Sequence, residues 1–297
     1  MVESEYACLL VMVMCKNLLG HLIWDSMKYL LFILSFMCCS FTSYSWNATG
    51  HQLVAQIAYN HLTPEGKRLC STVFDVSEAS LEPYFVSIST WLDAIRKKNV
   101  HQFDAWHYVD IPFTRDKSKL PAVNQRNALW AIKQAQQVLL SNKTNRGKKA
   151  LYLKILIHVT GDIHQPLHAA TKVSKRLPEG DLGGNLYLFS ASPVGKNLHQ
   201  YWDNGAGILH HNSWNELKMQ AIQIERKWPC KAETAQSKPE YWLNQSHQLA
   251  INQAYSIRTH KQPSIQYQDH AQRLSEQQIA FAGCRLAYTI NKIAALK

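Results

Sequence analysis

Two stretches of the chain place a histidine and an aspartate four residues apart. They are His158 and Asp162 in Ile157-His158-Val159-Thr160-Gly161-Asp162, and His199 and Asp203 in His199-Gln200-Tyr201-Trp202-Asp203. On a helix that spacing projects both side chains from one face. Just beyond the first pair comes His164-Gln165-Pro166-Leu167-His168. Pro166 has no N–H for the carbonyl of Asp162, so the helix should kink or stop there, and the kink can swing His168 toward the same place. A lone His–Asp pair is common on helices; two pairs plus a proline-linked histidine make a metal site a serious reading. Trp91-Leu92-Asp93-Ala94-Ile95-Arg96 adds a carboxylate and an arginine one turn apart. Trp106-His107-Tyr108-Val109-Asp110 adds an imidazole and another carboxylate. Nitrogen and carboxylate oxygen together suit zinc, and no cysteine is near enough in sequence to suggest a thiolate site. The plainer reading makes Trp91 and Trp106 core anchors and pairs Asp93 with Arg96.

Helical patterns supply the elements that would hold these groups. Gly50 to His61 gathers Val54, Ile57, Ala58 and His61 on one side, and Pro64 suits the first turn of a helix to Phe74. Asn124 to Leu140 and Lys148 to His164 repeat apolar residues at helical spacing. Further helices are expected over 197–210, 214–227, 239–254 and 275–296, a short hairpin near Leu186-Tyr187-Leu188-Phe189, and loops over 112–121, 178–185 and 259–270. The expected fold is all-α, a single mainly helical domain, with the final helix's apolar stripe facing the core.

Of 297 residues, 46% are hydrophobic and 18% charged, which excludes collagen, low-complexity disorder and a multi-span membrane protein. The net charge is +11, which favours anionic partners without naming one. Met27 to Ser45 has a positive start at Lys28, an apolar stretch from Tyr29 to Cys39, and small residues at Ser43-Tyr44-Ser45. That is the layout of a secretory signal peptide, and the run is short of the ~20 residues of a membrane helix. Residues 1–45 are therefore expected to be a removed leader and 46–297 the catalytic domain, secreted or periplasmic, with Trp46 as the new amino terminus. The remainder keeps Cys70, Cys230 and Cys284. One pair can join in an oxidising compartment; Cys230–Cys284 is one candidate, and sequence does not choose.

Taken together these segments resemble the S1/P1 family of secreted zinc-dependent nucleases, whose superfamily includes the zinc phospholipases C. The resemblance spans 46–297 and rests on Trp46-x4-His51, Trp91-x-Asp93-x2-Arg96, His107-x2-Asp110, His158-x3-Asp162, His168, Asp181-x-Gly183-Gly184-Asn185 and His199-x3-Asp203. It implies a cleft with three zinc ions. Asp93, His107, His158 and Asp162 would hold the first; His168, His199 and Asp203 the second. The third would take the α-amine and carbonyl of Trp46, His51 and the other oxygen of Asp162. Cleavage after Ser45 would then be an activating step, because a peptide nitrogen is no ligand.

The activity so implied is hydrolysis of phosphodiester bonds in single-stranded DNA and RNA to 5′-phosphorylated products, with 3′-nucleotidase action on 3′-mononucleotides. It would be carried out by a monomer with no stable membrane association. Metal-bound water reaches a pKa of ~7, so no side-chain nucleophile is needed. Asp93 would act as a ligand, Arg96 would meet developing phosphate charge, and Asp110 would orient Arg96 or a ligand histidine. Tyr108, where better-known members have Phe, would stack on a base; Asn185, with Asp181 nearby, would contact the base edge. His61, His101, His164, His210, His211, His247, His260 and His270 are left outside the site. The alternatives are a phospholipase C of the same superfamily, a non-enzymatic zinc- or polyanion-binding protein, and an uncleaved membrane-anchored protein.

Overall fold

The computed structural model of the chain describes residues 46–297; the expected leader lies outside them. The first helix, α1 (Ala48–Asn60), starts where the Asn47 side chain accepts from the N–H of Gly50. Thr63 and Pro64 open α2 (Pro64–Phe74), and Ser77 caps α3 (Glu78–Ser87). A 3₁₀ turn, Ile88–Thr90, leads into α4 (Trp91–Arg96). Then come β1 (Pro112–Thr114), α5 (Ala128–Leu140), α6 (Arg146–Asp162) and β2 (Thr171–Val173). The chain finishes with α7 (Leu198–Asp203), α8 (Trp214–Lys227), α9 (Ala232–Ala235), α10 (Pro239–Asn252) and α11 (Ile265–Ala295). Asparagine or serine side chains cap α5, α6, α7, α8 and α11 by accepting an otherwise unpaired first-turn N–H. Among the described residues no helix is long and apolar enough to cross a membrane.

The mainly helical fold matches the expectation, and its departures are local. Helix α3 was not anticipated, because Pro83 sits inside it; burial of Leu81, Phe85 and Val86 outweighs the hydrogen bond that proline removes. The helix expected over 197–210 stops at Asp203, since Gly205, Ala206 and Gly207 take left-handed φ values of 55°, 54° and 100°. The last helix begins at Ile265 rather than near 275; its first turns are too exposed to show an apolar stripe. In place of a hairpin at 186–189 there is one antiparallel bridge, Leu188 to Asn197. The expected loop at 112–121 opens with β1, which pairs in parallel with β2, Pro112 opposite Thr171 and Thr114 opposite Val173. A disulfide joins Cys230 to Cys284, and Cys70 is buried and free.

Two apolar clusters result. The larger packs α1 against α11 and α5 against α6, around Leu53, Ile57, Ile132, Leu156, Ile279 and Leu286. The smaller gathers Phe113, Leu167, Tyr187, Leu198, Tyr201, Trp202 and Tyr255. The crossing of α1 and α11 depends on Gly283: a Cβ there would stand 2.5 Å from Ile57 Cγ2 and 3.1 Å from the Val54 carbonyl. Gly283→Val should therefore destabilise the protein by roughly 1–3 kcal/mol, at ~2–4 °C per kcal/mol for a domain of this size. A thermal melt within a degree of the wild type would contradict that contact.

Candidate metal centre

Helix α6 delivers His158 and Asp162 to the interior because its last two turns are buried all round. The four-residue spacing brings His158 Nε2 to 3.3 Å from Asp162 Oδ2. His107 Nδ1 meets the same oxygen at 3.0 Å. The other oxygen, Oδ1, faces His51 Nε2 at 3.3 Å. Asp93, from α4, places Oδ1 3.8 Å from His158 Nε2 and 3.9 Å from His107 Nδ1. On the far side, His199 Nε2 lies 3.5 Å from Asp203 Oδ2, and His168 stands against His199 with ring centroids 5.0 Å apart. Among the described residues, three groups have ligand atoms close enough to hold a cation, two of them overlapping at His158: His51, His158 and Asp162; Asp93, His107 and His158; His168, His199 and Asp203. All these side chains are buried.

Backbone carbonyls aim the imidazoles. His158 Nδ1 donates to Ser89 O at 2.6 Å, His168 Nδ1 to His107 O at 2.6 Å, and His199 Nδ1 to Gly183 O at 2.7 Å. A proton held on Nδ1 leaves Nε2 as the basic nitrogen, directed at the carboxylates, which is the arrangement found behind metal-bound histidines. Asp93 Oδ1 and Asp162 Oδ1 are buried and accept no hydrogen bond among the described residues. Buried carboxylate oxygens without donors, facing imidazole nitrogens, are what a divalent cation satisfies, so these residues fit a metal.

The electrostatics agree. Burial lowers the His158 imidazole to about 4, with Asp162 opposing and the neighbouring histidines reinforcing. Burial also works against the charged form of Asp162, yet His158, His107 and His51 together hold its carboxyl well below the usual range. Asp203 goes the other way: burial, and then the charges of Asp93 and Asp162, raise it well above that range despite a hydrogen bond from Gln165. The pocket has more carboxylate than its histidines neutralise.

Two local devices set the geometry. Asp162 ends its helix as Pro166 requires, but its carbonyl accepts from Gln165 N–H at 2.9 Å instead of being orphaned. From there Pro166–His168 forms a 3₁₀ turn that delivers His168. Val109 N–H bonds His168 O, and Thr171 N–H bonds Ile111 O, so the β1–β2 pairing begins at the site and fixes His107 against His168. The second device is the Gly183-Gly184 turn, with φ of 62° and 85°. A Cβ on Gly183 would lie 2.5 Å from Leu167 O and 3.2 Å from His199 Nδ1. Asp181 Oδ1 braces this turn, accepting from Lys172 N–H, Gly184 N–H and Tyr255 O–H, and the Asn185 amide donates to Leu182 O.

Of the other expected site residues, Trp46 is fully buried and its indole donates to Gly161 O at 3.0 Å, one residue from Asp162. Tyr108 follows His107 and is half-buried. Arg96 Nε pairs with Asp104 Oδ1 at 3.3 Å, a carboxylate that was not among the expected site residues. Asp110 stands near Asp181; burial and that second carboxylate raise it to about 7. Sequence reasoning also passed over Gln165, whose amide donates to Asp203 Oδ1 at 2.6 Å while its oxygen accepts from Leu167 N–H. A polar residue fixed before a proline, between two histidines, was the available signal. Of the histidines left aside, His164 is buried and receives Arg285 Nη1 at 2.7 Å.

Residues 46–295 match the model of the S1/P1 nucleases. Endonuclease 2 of Arabidopsis thaliana is 27% identical over 277 residues, 84% of this chain and 91% of that protein. Nuclease S1 of Aspergillus oryzae is 26% identical over 173 residues, 54% of each chain. Nuclease P1 of Penicillium citrinum is 24% identical over 197 residues, 60% of this chain and 67% of its own.

Asp110 supplies a test of the electrostatics. A carboxyl raised in the folded state binds its proton more tightly there than in the unfolded chain, where it titrates near ~3.9. Its contribution is favourable at low pH and is lost as pH climbs toward 7. Asn does not titrate, so in metal-free protein Asp110→Asn should gain stability relative to wild type between pH 4 and pH 8. Melting temperatures whose difference stays constant across that interval would refute the shift.

Proposed function

The chain belongs to the S1/P1 nuclease family, and from that premise we propose that it is a secreted, monomeric, zinc-dependent endonuclease acting on single-stranded DNA and RNA. It leaves 5′-phosphorylated ends and also removes phosphate from 3′-mononucleotides. The observation that carries this reading is Asp162, whose two oxygens face different sets of imidazoles, Oδ1 toward His51 and Oδ2 toward His107 and His158. A carboxylate shared in that way suits two cations held side by side, the arrangement suited to a phosphodiester.

Three zinc ions would be held by Asp93, His107, His158 and Asp162; by His168, His199 and Asp203; and by Asp162, His51 and the amino end of Trp46 after cleavage behind Ser45. Zinc supplies a hydroxide source at neutral pH and neutralises phosphate oxygens. The chain's own groups do the rest. The carbonyls of Ser89, His107 and Gly183 keep His158, His168 and His199 oriented, so assembly costs little reorganisation. Arg96, held by Asp104, would offer its planar fork to phosphate. Tyr108 offers a ring for a base, and a base stacks on a side chain only when it is not stacked in a duplex, which favours single strands.

The deciding experiment is nucleotide release from single-stranded DNA by the purified protein, with and without chelator, beside elemental analysis and phospholipid hydrolysis. Asp162→Ala should lose activity roughly a thousandfold or more, several kcal/mol of transition-state stabilisation, together with bound zinc. Retained nuclease action in Asp162→Ala, or turnover of phospholipid alone, would sink the assignment. In the same assay Tyr108→Ala should weaken binding of single strands by about 5- to 150-fold, the worth of one stacked base at ~1–3 kcal/mol, while Tyr108→Phe stays near wild type. Equal KM values for Ala and Phe would remove Tyr108 from the base site.

A further inference from the structure

Residue 46 is held in the site by more than its own indole contact to Gly161. The Asn47 N–H donates to the carbonyl of Asp203 at 2.9 Å, so the chain just after Trp46 is bonded to the helix end that presents a metal-site carboxylate. The Asn47 side chain is fully engaged. Its oxygen accepts from Gly50 N–H, and its nitrogen donates to Asn204 Oδ1 at 2.9 Å and Leu209 O at 2.8 Å. Asn204 can present only its oxygen to Asn47, because its own Nδ2 donates to Val194 O at 2.9 Å and Gln200 O at 3.0 Å. The two amides are therefore matched in orientation: a donor from α1's cap meets an acceptor set by the loop after α7. The glycines around this segment show how tightly it is seated. A Cβ at Gly50 would lie 2.7 Å from Trp46 Cβ, and one at Gly161 would lie 2.9 Å from His51 Nδ1.

We infer that Asn47 and Asn204 form a latch that positions the mature amino terminus as a ligand, with Asn204 as a positioning residue for the cation held by Trp46, His51 and Asp162. The inference rests on the cleavage and three-zinc reading proposed above. The latch ties the two halves of the site together, since Asn204 follows Asp203 while Asn47 opens the helix that carries His51. It also places the amine without depending on a metal already bound. Cutting the latch loosens residues 46–47, which keep the Asn47 N–H bond to Asp203 O and the Trp46 indole bond to Gly161 O, without touching a ligand, so it should weaken one cation and spare the other two.

Asn47→Asp separates the latch from the helix cap. Aspartate caps α1 as well as asparagine does, but it donates to neither Asn204 nor Leu209. Asn204→Ala removes the acceptor from the other side. Each mature protein, shown by amino-terminal sequencing to begin at Trp46, is titrated with a competing zinc chelator while bound zinc is counted, and its metal-free form is melted. The expected result is that one zinc equivalent of three is lost at about 10- to 100-fold lower chelator concentration, the usual effect of removing a partner that orients a ligand. The other two should hold at wild-type affinity, and the α-amine should acylate faster in the variants. Three equivalents at wild-type affinity in both variants would overturn the latch. So would parallel weakening of all three with a lowered metal-free melting temperature, which marks a purely structural role. Wild-type protein that begins elsewhere or binds fewer than three zincs would fail at the control, which locates the error in the proposed function.

Discussion

A carboxylate sealed among three imidazoles sets the terms for this molecule. Asp162 has no exposed surface, and a lone ion there would be expelled or neutralised. Its neighbours His51, His107 and His158 make its charged form tolerable, but they do not extend the same service to Asp203, which burial drives toward the protonated form. His158, His168 and His199, each giving its Nδ1 proton to a carbonyl, bring no charge of their own to offset Asp93, Asp162 and Asp203 together. The interior is thus built around a deficit of positive charge, and cations of the right size correct it. Any cation held by these groups would couple metal binding to folding for that reason.

The two apolar clusters meet along this deficit. The larger seats α6 with His158 and Asp162 and α4 with Asp93; the smaller seats Leu167, Leu198, Tyr201 and Trp202 on either side of His168, His199 and Asp203. Left to apolar contact alone, two such clusters could slide, since hydrophobic packing fixes distance better than register. Directional bonds remove that freedom. The short parallel ribbon from Val109 to Val173 locks His107 to His168, Gln165 bonds Asp203, and Asn47 N–H bonds the Asp203 carbonyl. Each of these links ends on, or next to, a residue of the candidate metal groups.

Much of this was legible in the chain itself. Apolar residues at helical spacing mark α1, α2, α5, α6, α8 and α10, and four-residue spacing exposes His158–Asp162 and His199–Asp203 because the α-helix repeats at that interval. What stayed hidden depends on contacts far apart in sequence. Three residues are too short a run for their alternation to stand out, so the β1–β2 ribbon could not be seen. Pro83 masked α3, and the polar start of α11 masked ten residues of helix. Backbone acceptors such as Ser89 O carry no side-chain signature. Arg96 took Asp104 because that carboxylate lies within its reach after the chain turns at Asn99, where φ is 62°, a turn with no strong motif.

His164 shows why residue type and spacing do not settle which histidine is a ligand. It is as buried as the others, and its Nδ1 donates to a backbone carbonyl, Thr160 O at 2.7 Å, just as theirs do. By that pattern its Nε2 should look for a cation. The cation it finds is the guanidinium of Arg285, which arrives from α11 at 2.7 Å and is itself held by Thr234 O and Gln245 Oε1 among the rings of Tyr241, Trp242 and Phe281. Burial, and then this neighbouring charge, keep His164 neutral. A guanidinium is permanently charged and covalently tethered, so it answers the same electrostatic demand as a metal without exchanging with solvent. The residue that excludes His164 from the metal centre therefore lies 121 positions along the chain, and only the folded arrangement of α6 and α11 reveals it.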